Sequence, residues 1–269
     1  MTTSESTAQI SLPEKHILEF DQLKLRLIIG GIAFLLPVLT PAISSIPLTS
    51  ISASYYTESR DVFVGLLFVV GALLFAYDGR PSEVKEESKV RKTVRKFLRV
   101  GAPWEQGVIS TIGAVAAIVA ALCPTACDDC SSTPLSFFHG IAAVILFLTI
   151  AYFCLFVFRD SAKAKEKKKK QEGIQGIKQI RRTRVYVSSG VGILVCILGA
   201  GVAQLTLAPE TRLALSVTFW AETFSLLLFS FSWLIASRVF PYFADPDERL
   251  RLLQRTPKED TEKAAHAAA

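Results

Sequence analysis

The sequence predicts an all-α polytopic membrane protein, a six-transmembrane-helix bundle with both termini on the cytoplasmic side. Three observations carry that expectation. Of 269 residues 51% are hydrophobic and 18 are Phe, and the mean hydropathy is +0.39. Charged residues make up 20% of the chain and fall in blocks between long apolar runs, the pattern of a chain whose solvent is lipid. The basic residues, finally, concentrate in alternate loops.

A helix needs about 20 mostly apolar residues to cross roughly 30 Å of hydrocarbon. Six stretches qualify, near 25–46, 62–78, 107–124, 136–158, 185–207 and 213–237. They divide the chain into a cytoplasmic segment (1–24), a transmembrane domain (25–237) and a cytoplasmic tail (238–269). Residues 1–24 are polar and hold Glu14 and Glu19, unlike a secretory signal. Lys and Arg gather on the cytoplasmic side of membrane proteins. Placing the N-terminus inside puts 28 of the 30 basic residues inside and leaves Arg60 and Arg212 outside. The expected location is the plasma or inner membrane.

The first span carries Pro37 and Pro41; each removes a helix donor and frees the carbonyl four residues back, which predicts a bend. The loop after it runs PLTSISASYYTESRDVFVG and is rich in polar groups, among them Ser52, Tyr55, Arg60 and Asp61. Tyr suits the membrane interface, and Asp61 at a helix N-terminus suits the dipole. The second span closes in AYDGRP at Asp78.

The second cytoplasmic loop, EVKEESKVRKTVRKFLRV, sets Val90, Val94, Phe97 and Leu98 on one side of a helix and Arg91, Lys92, Arg95 and Arg99 over much of the rest. That pattern predicts a basic amphipathic helix lying on an anionic leaflet. The third span is thin and Ala-rich. Beyond it come Cys123, Cys127 and Cys130, for which an oxidising exterior favours one disulfide.

His139 stands about one turn into the fourth span. The other two histidines, His16 and His266, fall on the cytoplasmic side, so a multi-histidine zinc site is not expected, and no cofactor motif is present. The fourth loop carries the run Lys167 to Lys170 with Arg181, Arg182 and Arg184; it reads as a topology determinant or a surface for anionic head groups. The charge of +6 needs no nucleic-acid partner. In the fifth span Ser188, Gly192, Cys196, Ala200 and Gln204 recur every four residues. This thin face suits either a central position or a homo-oligomer contact.

Glu222 lies in FWAETFSLLLF, ten residues past Arg212, or roughly 15 Å deep at 1.5 Å per residue. A carboxyl at that depth is paired, protonated or turned inward. Gln204, Ser188 and Ser110 are its expected partners.

Three stretches, SISASYYTESRDVFVGLLFVVGALLFAYDG, FFHGIAAVILFLTIAYFCLFVF and TFWAETFSLLLFSFSWL, resemble a family of predicted bacterial six-transmembrane-helix proteins whose activity is unassigned. The resemblance singles out Ser52, Tyr55, Arg60, Asp61, His139, Trp220 and Glu222. Tyr56 stands where family members often carry a His. A fainter similarity is to alkaline-ceramidase-type membrane hydrolases, whose zinc histidines this chain lacks.

No catalytic motif points to an enzyme. The expectation is a transporter, channel or ligand sensor with an outward-facing polar cavity built from Glu222, His139, Asp61, Arg60 and the Tyr loop. The alternatives are a membrane-embedded lipid hydrolase using His139, and an interaction protein acting through its basic loops.

Overall fold

Six long helices close into a ring in the computed structural model, which describes residues 22–77, 89–98, 105–125, 134–246, 248 and 249. Around the ring run α1 (Gln22–Ile43), α2 (Arg60–Phe75), α4 (Glu105–Leu122), α5 (Pro134–Tyr152), α7 (Ile177–Thr206) and α9 (Val217–Ala236), with α9 returning to α1. Shorter pieces complete the fold: a 3-10 turn (Ser52–Tyr56), α3 (Lys89–Leu98), α6 (Arg159–Gln171) and α8 (Pro209–Ala214). A π-helical stretch (Phe153–Phe158) joins α5 to α6. All regular elements among the described residues are helical.

Among the described residues five helices are long and apolar enough to cross a membrane: Gln22–Ile43, Glu105–Leu122, Pro134–Gln171, Ile177–Thr206 and Val217–Ala236. The expected second span is the exception. Its helix α2 has 16 residues, about 24 Å at 1.5 Å per residue, because Ser59 stands before its start and regular helix stops at Phe75. It nevertheless runs from the loop end of the bundle to the opposite end, where Tyr77 accepts hydrogen bonds from Arg26 of α1 (2.6 and 3.1 Å).

α1 stays helical through Pro37 and Pro41. The helices pack where side chains are small. α4 buries Ser110, Gly113, Ala114, Ala117, Ala120 and Ala121 against α2 and α5, as its Ala-rich sequence led one to expect. α1 meets α9 at Gly30, whose carbonyl accepts from Ser230 at 2.8 Å. α7 departs from expectation. It is the least buried of the five apolar helices, 22% against 56% for α4, because a ring has no central position. Its buried face is Arg182, Tyr186, Ser189, Gly190 and Ile193. The expected thin face is only grazed, where Gly192 meets Leu228, and Ser188 is exposed.

Toward the end opposite the loop the bundle is filled by an aromatic cluster. Trp233 has Tyr77, Phe153, Phe158 and Phe229 around it at centroid distances of 5.3–5.7 Å. Each such pair adds about 0.5–1.5 kcal/mol beyond burial.

The two basic loops are organised differently from expectation. In α3, Arg91 turns inward and is 1% exposed, while Phe97 is 84% exposed. Val90 and Phe97 stay exposed along the helix while Val94 and Leu98 pack against the core, and Arg91 turns in because it has a buried carboxylate to reach. Glu105 at the start of α4 accepts from Arg91 Nε and Nη2, both at 3.0 Å, and from Arg95 at 3.4 Å. Tyr152 donates to Glu105, and Asp160 stands 3.6 Å from Arg91. The fourth loop is a helical hairpin rather than a bare cationic run. Its Lys165, Lys169, Lys178 and Arg182 pair with Glu248 and Asp245 after α9.

Candidate functional site

The loop between α1 and α2 folds back onto the start of α9. The Phe219 N–H, an unsatisfied donor of the first helical turn, is taken by the Thr49 carbonyl at 3.0 Å. Three residues on, Glu222 aims its carboxylate at the start of the 3-10 turn. Oε2 accepts from the Ile51 N–H (2.6 Å) and the Ser52 N–H (3.2 Å), and Oε1 from the Ser52 hydroxyl (3.2 Å). A negative group at exposed backbone N–H groups of a helical turn is favourable for the same reason as in a longer helix.

The rest of the loop is tied by its own hydroxyls. Ser50 bonds Ser52 (3.1 Å) and takes the Ala53 N–H (2.9 Å), Ser54 donates to the Ile51 carbonyl, and Thr57 bonds Ser59 (2.8 Å). At its outer edge Glu58 accepts from the Ser45 hydroxyl at 2.8 Å. Hydrogen bonds from its own backbone N–H, and then from the Ser45 hydroxyl and N–H, hold the Glu58 carboxyl below its ordinary pKa. Tyr56 reaches across to the Thr125 carbonyl at 2.7 Å.

Glu222 is therefore placed differently from the sequence expectation. α9 begins at Val217, after the left-handed residue Ser216, so Glu222 is five residues in, roughly 8 Å from the helix start. The expected partners are engaged elsewhere. Gln204 bonds Thr218, Ser188 bonds the Val185 carbonyl, and Ser110 bonds the Leu74 carbonyl. Backbone amides of a distant loop take their place.

Beneath this loop lies a half-open cleft of about 50 Å³, lined by Leu36, Ile51, Ser52, Phe63, Leu67, Ala120, His139, Ala143, Leu146, Phe147, Glu222 and Leu226. Its wall is almost wholly carbon. Ser52, His139 and Glu222 thus meet at one cavity, from the loop, α5 and α9. His139 is buried, with Nδ1 at 2.9 Å from both the Ala120 and the Cys123 carbonyls. A proton on Nδ1 serves both acceptors, which leaves Nε2 as the lone-pair nitrogen.

The other expected site residues stand apart from the cleft. Arg60 is exposed, with its guanidinium 4.5 Å from the centre of the Tyr55 ring and donating to the Tyr55 hydroxyl at 3.1 Å. Asp61 is exposed in the first turn of α2. Trp220 is half exposed and stacks on Phe224 at 5.6 Å; two residues before Glu222, it points roughly 200° away around the helix. Cys123 is partly buried, and Cys127 and Cys130, like Asp78, lie outside the described residues, so the expected disulfide does too.

Two buried groups escaped the sequence reading. Glu105 and Asp160 flank apolar runs, one as the first residue of α4 and one in the first turn of α6, and an acid at the edge of a span passes for an interfacial residue. The signal was the basic loop helix with no acid of its own to neutralise it. Comparison with protein-family models, with curated proteins and with solved structures finds no match for this chain.

Proposed function

We propose that the chain is a multi-pass protein of the plasma or inner membrane, crossing it six times with both termini in the cytoplasm, and that it acts as a ligand sensor through the cleft under its first outer loop. One observation carries the reading: Ser52, His139 and Glu222, from three separate elements, border a single carbon-walled cavity.

The chemistry defines the ligand class. The wall selects an apolar body. Glu222 already accepts three hydrogen bonds of the about four a carboxylate can take, and His139 Nε2 is a further acceptor. The ligand end that meets them donates, as a hydroxyl, amide or ammonium does. Because Glu222 also fastens the loop, occupation of the cleft and order of the loop are coupled. Sensing is favoured over conduction by the aromatic cluster around Trp233, which fills the bundle below the cleft.

Thermal unfolding of the purified protein in nanodiscs, titrated with long-chain alcohols, amides and amines, tests this. At a hundredfold excess over Kd a ligand specific to the folded state adds about 3 kcal/mol. The expected result is stabilisation by at least one class in the wild type and its loss in Ala143→Phe, which fills the cleft. Equal responses in the two proteins overturn the proposal.

A further inference from the structure

At the opposite end of the bundle a second recess, of about 30 Å³, opens between α1, α6, α7 and the end of α9, lined by Arg26, Phe158, Ser161, Ala162, Lys165, Arg182, Tyr186, Ala236 and Arg238. Four of these are cations. Their contacts are unequal. Arg26 is spent on Tyr77 and the Ala236 carbonyl. Lys165 and Arg182 share Glu248, at 2.7 and 2.9 Å. Arg182 is only 3% exposed, yet its Nε has no hydrogen-bond partner. The Arg238 backbone N–H donates to the Ile235 carbonyl at 3.1 Å, but its guanidinium makes no hydrogen bond or ion pair with any described residue.

Arg238 also sits in the left-handed region at φ 61°, two residues past the end of α9. A non-glycine residue there is strained and persists only where the surroundings hold it. Burial lowers the Arg238 pKa from its ordinary value; the Glu248 charge raises it, and Arg182 and Arg26 lower it again. For Glu248, burial raises the carboxyl, but the Lys165 hydrogen bond and the Arg182 and Arg238 charges outweigh it and leave the pKa below the ordinary value. One carboxylate thus faces three cations, Lys165, Arg182 and Arg238, and two guanidinium groups keep donors in reserve.

We propose that this recess binds a phosphate group, held by Arg238 and by Arg182 Nε. Guanidinium forks match phosphate oxygens in geometry and charge, and the recess is too small for a nucleotide. It lies at the helix ends, level with Arg26 near the start of α1, where a phospholipid head group resides. Free phosphate offers the same chemistry. The site is separate from the cleft under the first outer loop, and each stands without the other.

The test is native mass spectrometry of the detergent-solubilised full chain, titrated in separate arms with phosphatidylglycerol, phosphatidylcholine and inorganic phosphate. The variants are Arg238→Gln and, should that chain fail to fold, Arg238→Lys, which keeps the charge and removes the guanidinium fork. The expected result is that the wild type binds phosphatidylglycerol, or phosphate alone, roughly tenfold more tightly than the variant, the loss of one charge-assisted contact. Preference for the lipid over inorganic phosphate identifies a head-group site, and the reverse a soluble-anion site. Equal binding by wild type and variant in every arm overturns the proposal.

Discussion

Glu105 shows what a single residue decides. Its side chain is wholly buried, and it holds Arg91, Arg95 and Tyr152. A buried ion pair contributes little net stability, since desolvation offsets attraction, but breaking one leaves an uncompensated charge and costs about 3–5 kcal/mol. Glu105→Gln leaves the buried Arg91 charge to Asp160 at 3.6 Å and is expected to lower stability by that amount in a denaturant melt in detergent. Arg91→Met with Glu105→Met removes both charges and is expected to lose less than the two single changes combined, a coupling of about 0.5–3 kcal/mol. Additive losses would show that the pair is not the organising contact. Individual polar residues in apolar runs were legible as important because lipid makes them costly: Glu222 and His139 stand out from the sequence for that reason alone. Their partners were not legible. Glu222 and Ser52 are 170 residues apart, and no local pattern connects a carboxylate to backbone N–H groups at that separation.

At the scale of elements, apolar length found the long helices and periodicity misjudged their faces. α3 reads as amphipathic with its basic residues outward, which holds only while no buried acid awaits one of them; Glu105, 14 residues on, reverses Arg91. α7 reads as central because small residues recur along it, yet small residues mark any close helix contact, and the contact here is one residue off. A Cβ on Gly190 would stand 2.4 Å from the Leu155 side chain and 3.2 Å from Cys154 Cβ, next to the π-helical stretch, whereas one on Gly199 would meet nothing within 4 Å. The same substitution on one helix therefore has opposite expected signs. Gly190→Ala overpacks and is expected to cost about 1–3 kcal/mol. Gly199→Ala meets open space and is expected to gain up to about 1 kcal/mol from helix propensity. Equal thermal shifts for the two variants would mean that the π-helical stretch and α7 are not in the contact described.

For the whole molecule, the open question is whether α2 crosses the membrane, since only five helices meet the length of a span and the location of both termini depends on the sixth. The ring favours crossing. α2 packs along α1 on one side and α4 on the other, its first residue belongs to the loop end, and Tyr77 beyond its last turn meets Arg26 at the opposite end. A 16-residue helix falls some 6 Å short of a 30 Å core, a mismatch that local thinning and the flanking Arg60 and Tyr77 accommodate at fractions of a kcal/mol per Å. The charge distribution leans the same way by a narrow margin: six spans leave 2 of the 30 basic residues outside, and five spans with the N-terminus outside leave 4, Lys15, Lys24, Arg26 and Arg212. Alkaline phosphatase and green fluorescent protein fused after residues 59, 88, 125 and 269 decide it. Six spans predict phosphatase activity after 59 and 125, and fluorescence after 88 and 269. If α2 lies on one side, the fusions after 59 and 88 report the same compartment and the fusion after 125 the opposite one. That outcome would put Ser52, before residue 59, and His139, after residue 125, on opposite faces, so the topology and the cleft that the two share stand or fall in one experiment.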